Sequence, residues 1–182
     1  MQITVVTESA ESPVTLAEVK AWLKVDHNED DAQLTELINS AVKTIESYIN
    51  APIILKTILF AVDNYYVDDD YQFCIYLPYN PIAISFVKIY DKENVANTIT
   101  DYEQYSKKIV ICSTIASRSN QGYEVQFTSG IAADAMTTPA DIKTVIKEIV
   151  AFYYDDCCDK DLNKMLSTLG GYINFSQLAV YE

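Results

Sequence analysis

The residues best suited to chemistry gather in TLAEVKAWLKVDHNEDDAQLTELI, from Thr15 to Ile38. Here lie the only histidine, His27, the only tryptophan, Trp22, and the carboxylates Asp26, Glu29, Asp30 and Asp31. Such a set invites a calcium loop or a histidine base. An EF-hand loop begun at Asp26 has Asn28 and Asp30 at its third and fifth positions, as required. Its sixth is Asp31, where glycine must make the sharp turn, and its twelfth is Leu37 in place of glutamate. Leu37 also belongs to the apolar stripe of the following helix, so it cannot turn toward an ion. His27 has no Ser or Cys nucleophile motif beside it. The stretch therefore reads as the bend between two helices. Its acids are favoured near the positive start of the second helix, and Trp22 is expected at the edge of a buried stripe.

The other clusters read the same way. Asp68, Asp69 and Asp70 lie between predicted strands as solvated loop carboxylates. Asp155, Asp156 and Asp159 flank Cys157 and Cys158 where a helix runs out, and adjacent cysteines suit one tetrahedral zinc poorly. With Cys74 and Cys112 these are expected as free thiols. The chain has no phosphate loop, dinucleotide fingerprint, nucleophile elbow or zincin motif. Neither a catalytic residue nor a metal or cofactor site is expected. A small hydrolase using a carboxylate pair is the remote alternative, since 26 acidic residues are present.

Three blocks of elements position these residues. Thr15 and Glu18 form a capping box, and Leu16, Val19, Trp22 and Leu23 are predicted to share one helical face. A second helix is predicted from near Asn28, with a stripe of Leu34, Leu37, Ile38, Ala41, Ile45, Tyr48 and Ile49, ended by Ala51-Pro52. Residues 53–129 read as strands: IILKTILFAVD, YQFCIYL, ISFVKIY, KKIVICS and YEVQFTSG, joined by turn-forming segments. Thr138 and Pro139 predict a new helix start, with Ile142, Val145, Ile146, Ile149, Val150 and Tyr153 as its buried stripe. DLNKMLSTL predicts a short last helix, broken by Gly170-Gly171. The order is an N-terminal helical pair, a central antiparallel sheet, then C-terminal helices and an extended tail: an α+β chain. One domain over 1–168 and a tail or arm over 169–182 are expected.

The net charge of −13 disfavours gripping nucleic acid, because duplex affinity rests on clustered Lys and Arg. The longest basic run is Lys107-Lys108. No stretch approaches the roughly 18 apolar residues of a membrane helix, and MQITVVTESAESP has neither the basic nor the apolar region of a signal peptide. Synthesis in a cytoplasm is the resulting expectation. What stands out is 14 tyrosines, a residue enriched at interfaces. The tail carries Tyr172, Ile173, Phe175, Leu178, Val180 and Tyr181. These are expected either to fold back as a strand or to form an arm that docks on a partner.

Read in order, four segments resemble the head–tail connector (adaptor) proteins of tailed bacteriophages. Residues 15–54 have that family's short helix of L-x-E-x-K-x-x-L-x-V type, a D-x-x-x-D-D turn and a long helix ending before proline. LPYNPIAISFVKIYD is similar to its L-P-x-x-P-[IV] segment followed by a V-x-[IV]-Y-D strand. YEVQFTSGI matches its [VI]-x-[VF]-x-x-G strand end, and TTPADIKTVIKEIVAFYYDD its closing helix. The similarity spans about residues 14–160, and the tail after Gly170 has no counterpart in it. The resemblance implies a non-enzymatic virion protein that assembles in a host cytoplasm as a ring, commonly of twelve copies. The ring docks on the portal, seats the next neck or tail protein and leaves a channel for the genome. A tail-completion or stopper protein is the alternative within the same setting. An acidic channel wall would let DNA pass without specific binding. The candidates for such a lumen-facing wall are Asp26, Asp30, Asp31, Asp68, Asp69 and Asp70.

Overall fold

The computed structural model describes residues 1–7, 11–62, 73–91, 93–111, 122–155 and 161–173. Asp68, Asp69, Asp70, Cys112, Cys157, Cys158, Phe175, Leu178, Val180 and Tyr181 lie outside them. The fold class is α+β, as expected. Two compact units share the chain, Met1–Glu8 with Lys56–Ser129 and Ser9–Leu55 with Gly130–Glu182.

Among the described residues the first unit holds the strands β1 (Gln2–Thr7), β2 (Lys56–Val62), β3 (Phe73–Tyr76), β4 (Ala83–Tyr90), β5 (Ala96–Ile99), β6 (Tyr102–Tyr105), β7 (Lys108–Ile111) and β8 (Gly122–Ser129). They form a five-stranded antiparallel sheet, β1-β2-β8-β4-β5, and a three-stranded one, β3-β7-β6. Strand periodicity of two explains the core. Phe60 faces Val125, which faces Val87, which faces Ile99. Ile75, Ile109 and Ile111 of the smaller sheet, with Leu77 just after β3, join the same buried cluster. Three strands were not expected from the sequence: β1, β5 and β6. β1 precedes the first helix and pairs with β2, so the sheet begins at the N-terminus.

The second unit holds α1 (Leu16–Leu23), α2 (Asp31–Ile49), α3 (Ala140–Asp155) and α4 (Leu162–Ser167). The capping box is present: Thr15 Oγ1 accepts from the Glu18 N–H (3.2 Å), and Glu18 Oε2 accepts from the Thr15 N–H (2.7 Å). Val19, Leu34, Ile38, Ala41, Ile45 and Ile49 bury against Ile142, Val145, Ile146, Ile149 and Val150. Apolar burial of this kind, at about 25 cal/mol per Å², is the main stabilising term. α2 starts at Asp31, three residues later than predicted, and α3 at Ala140. Thr138 does not cap α3; its hydroxyl donates to the Asp134 carbonyl at 2.9 Å.

Two stripe residues depart from expectation. Trp22 is 48% exposed. At about 100° per residue it sits about 60° to one side of Val19, while Leu16 and Leu23 lie on the other side and define the buried arc. Tyr153 is also partly exposed; its neighbours Phe152 and Tyr154 pack against the core instead.

A backbone junction completes the unit. The Leu55 N–H donates to the Ala132 carbonyl and the Ala132 N–H to the Ile53 carbonyl, both at 2.9 Å. Gly130 lies so close to this segment that an added Cβ would stand 2.7 Å from Leu55 N and Cα. The glycine closing YEVQFTSG is thus a requirement of packing.

Candidate interaction surfaces

The acidic bend is built as a joint. Lys20 Nζ lies 2.7 Å from Asp31 Oδ1 and donates to Asn28 Oδ1 at 2.7 Å, linking α1 to the start of α2. The Tyr154 hydroxyl donates to Asp30 Oδ2 at 2.6 Å, bringing α3 to the same turn, and this bond raises the Tyr154 pKa. His27 Nε2 stands 3.8 Å from the same Asp30 oxygen. Asp30 and Asp31 therefore already have partners within the fold, whereas Asp26 is exposed. Among the described residues no three His, Cys, Asp or Glu side chains come together as a metal-holding group.

The structure follows the tail to Ile173. Leu169 is fully buried, and Gly170–Tyr172 form a 3-10 turn where the sequence suggested a break. The Tyr172 ring packs on the helical core, and its hydroxyl donates to Asp141 Oδ1 at 3.1 Å. Burial first, then this bond, raises the Tyr172 pKa. Tyr172 thus anchors the tail to α3, and Ile173 beyond it is half-buried.

Exposed apolar surface gathers on the sheet unit. All six residues of β1 are exposed; Ile3, Val5 and Val6 stand out, and β2 is its partner in the five-stranded sheet. An uncharged edge strand is a ready template for strand addition. On the outer face of the three-stranded sheet, Tyr76 and Tyr105 flank Lys108 in register, with Lys108 Nζ 5.9 Å from the centre of the Tyr76 ring. The neighbouring Lys107 is buried without a hydrogen-bond partner for Nζ, and burial pushes its pKa down. The signal for β1 was legible in the alternation of QITVVT; the outer-face tyrosines needed the register.

A polar cavity of about 270 Å³ opens where β2, β4 and β8 end, lined by residues including Val62, Tyr90, Asn94, Tyr123 and Glu124. The Tyr90 hydroxyl is bonded to Glu124, which raises its pKa; burial takes Tyr123 to about 12. Phenols held protonated do not make a nucleophile. Among the described residues the carboxyls that shift clearly are Glu18, Asp91 and Asp134, and all shift down. In each the largest cause is a backbone N–H bonded to the carboxylate, from Thr15, Val95 and Thr137 in that order. A proton-donating carboxyl requires the opposite shift. No described helix is long and apolar enough to cross a membrane.

Comparison with known proteins follows the same line. The head completion protein family matches residues 14–173. No curated protein matches the sequence. A chain in the virion of a native gene transfer agent (GTA) particle superposes with a TM-score of 0.71 at 17% identity, covering 92% of this chain and 94% of that one. Chains from the neck of an empty GTA particle, computed with C6 symmetry, and of a native one, computed with C12 symmetry, each give a TM-score of 0.68 at 18% identity over the same shares.

Proposed function

This chain belongs to the head completion protein family, and from that premise we propose that it forms a ring in the neck of a tailed phage-type virion, docked on the portal. Membership bears out the resemblance read from the sequence, and completing a head is structural work within a virion. The ring, of about twelve copies by the resemblance, would seat the next neck or tail protein and leave a channel through which DNA passes without specific binding. The observation that carries this reading is the family match across nearly the whole folded chain, joined to a fold shared with chains of neck particles computed with six- and twelve-fold symmetry. Exposed apolar strand, half-exposed aromatics and charged groups tied into the fold suit work done by contact surfaces. The downward-shifted carboxyls favour this over a carboxylate-pair hydrolase.

The tail is proposed as an arm that adds to a neighbouring or partner sheet through Phe175, Leu178, Val180 and Tyr181. Because Leu169 and Tyr172 are built into the helical unit, its reach begins beyond Ile173. Deletion of residues 174–182 should spare folding and weaken attachment to the portal or the next neck protein.

Native mass measurement with and without portal protein tests the assembly. A single copy alone that becomes a closed multi-copy ring on the portal fits. Failure to bind portal, with binding to an assembled adaptor ring instead, would move the protein one layer down, to the tail-completion or stopper position. No assembly with either would refute the reading.

A further inference from the structure

Trp22 is the chain's only tryptophan, and the fold leaves it 48% exposed. α1 is held to the core without it, by buried Val19 and by Leu16 and Leu23. Instead the indole is held by charge: Lys147 Nζ of α3 lies 5.2 Å from the ring centre. One turn earlier on both helices, Lys143 Nζ stands 3.8 Å from Glu18 Oε1. Lys143 and Lys147 both lower the Glu18 pKa. Lys24, at the C-cap of α1, is exposed. Among the described residues neither Lys24 nor Lys147 forms an ion pair. The α1–α3 face therefore presents a large indole beside the Lys147 ammonium, which forms no direct ion pair, on a protein whose net charge is −13.

A closed ring needs two different, complementary faces on each subunit. Acidic copies repel where their surfaces meet, so a local face of opposite sign favours closure. We propose that the Trp22–Lys147 face is one half of the subunit–subunit contact, and that its occupant is the acidic surface of a second copy of this chain. This inference rests on the ring reading above. Tryptophan is the residue type most enriched among contacts that dominate an interface, and an ammonium beside it supplies the complement to carboxylates. Nucleic acid is the poorer occupant, since this face lacks the clustered Lys and Arg on which phosphate binding rests.

The sole tryptophan is its own reporter. With 5-fluorotryptophan incorporated into this chain alone, Trp22 gives the only ¹⁹F signal, even when unlabelled portal is present. Rings separated from single copies should show a shifted ¹⁹F resonance and at least threefold weaker acrylamide quenching of Trp22 emission. Lys147→Glu should lower the Tm of the single copy slightly, since it removes the charge beside Trp22 and Glu18, yet leave it folded at the assay temperature and weaken ring formation at least tenfold, whereas Lys147→Arg should restore both. Rings whose Trp22 is as accessible as in the single copy, or that form equally well with Lys147→Glu, would overturn the proposal while leaving the ring reading intact. Trp22 shielded in portal-bound or DNA-bound single copies that have not closed into a ring would overturn it too, and would reassign the face to that partner. No ring under any condition would remove both.

Discussion

Gly130→Ala is the sharpest test of the packing argument. The added methyl would lie 2.7 Å from Leu55 N and Cα and 2.9 Å from the Ile54 carbonyl carbon. These are backbone atoms, so no side chain can swing aside. Reaching an ordinary contact of 3.4 Å requires a shift of about 0.7 Å. That shift falls on the junction where Ile131, Ala132 and Leu55 exchange backbone hydrogen bonds with Pro52, Ile53 and Ala132. Overpacking costs about 1–3 kcal/mol, and a weakened bond or two adds about 1 kcal/mol. For a chain of this size the sum corresponds to a Tm loss of roughly 4–16 °C. Gly170→Ala is the control, because nothing lies within 4 Å of its added Cβ; its Tm should stay within about 2 °C of wild type. Circular dichroism melts of the two variants read the difference directly. If Gly130→Ala melts with wild type, the glycine is not there for packing, and the physical reading of the YEVQFTSG ending is wrong.

Three further outcomes follow from single groups. Lys107→Met removes a buried ammonium that has no hydrogen-bond partner and should stabilise the chain by about 1 kcal/mol in urea melts. Burial depresses the folded pKa of Lys107, so the unfolded chain binds more protons, and stability should rise with pH toward the ordinary lysine value, a slope the Met variant lacks. Tyr154→Phe breaks the bond to Asp30 and should lower the Tm slightly, with faster amide exchange confined to the α1–α2 bend. Asp91 has a lowered pKa because the Val95 and Glu93 N–H groups bond its carboxylate. Its contribution is present above the unfolded value of about 3.9 and lost as pH falls through the lower folded one, so Asp91→Ala should flatten the acid limb of Tm against pH.

Much of the fold was legible because local and tertiary preferences agree. The Thr15–Glu18 box, the α2 stripe and the Val145–Ile149 stripe are periodic over enough residues to fix helix and face together. β5 and β6 were missed because ANTI and YEQY have four residues each and little apolar alternation; their pairing to β4 and β7 supplies what propensity does not. β1 does alternate, yet its residues are all exposed, so burial never reinforced the pattern. Trp22 shows the opposite failure. Its type argued for the core, but an eight-residue helix has one narrow buried arc, and Leu16, Val19 and Leu23 occupy it. Of the proposed surfaces, the tail's anchoring through Tyr172 could not be read from sequence at all, since Asp141 lies 31 residues away.

The acidic residues show why a charge count and an available charge differ. In the proposed ring each copy contributes −13, but salt screens exposed charges beyond about 8 Å at physiological ionic strength. DNA in a channel would therefore feel the acids on the wall and little of the total. Asp31 is spent on Lys20, and Asp30 accepts the Tyr154 hydroxyl, so both serve the bend before any lumen. Of that bend Asp26 alone among the lumen candidates is both exposed and without a hydrogen bond or ion pair in the structure. A wall that repels phosphate would then draw on Asp26 together with Asp68, Asp69 and Asp70. The same screening lets acidic copies approach closely enough for a local basic face to matter. Repulsion summed over the ring and attraction at one contact thus coexist, because each is decided within a few ångströms of the groups concerned.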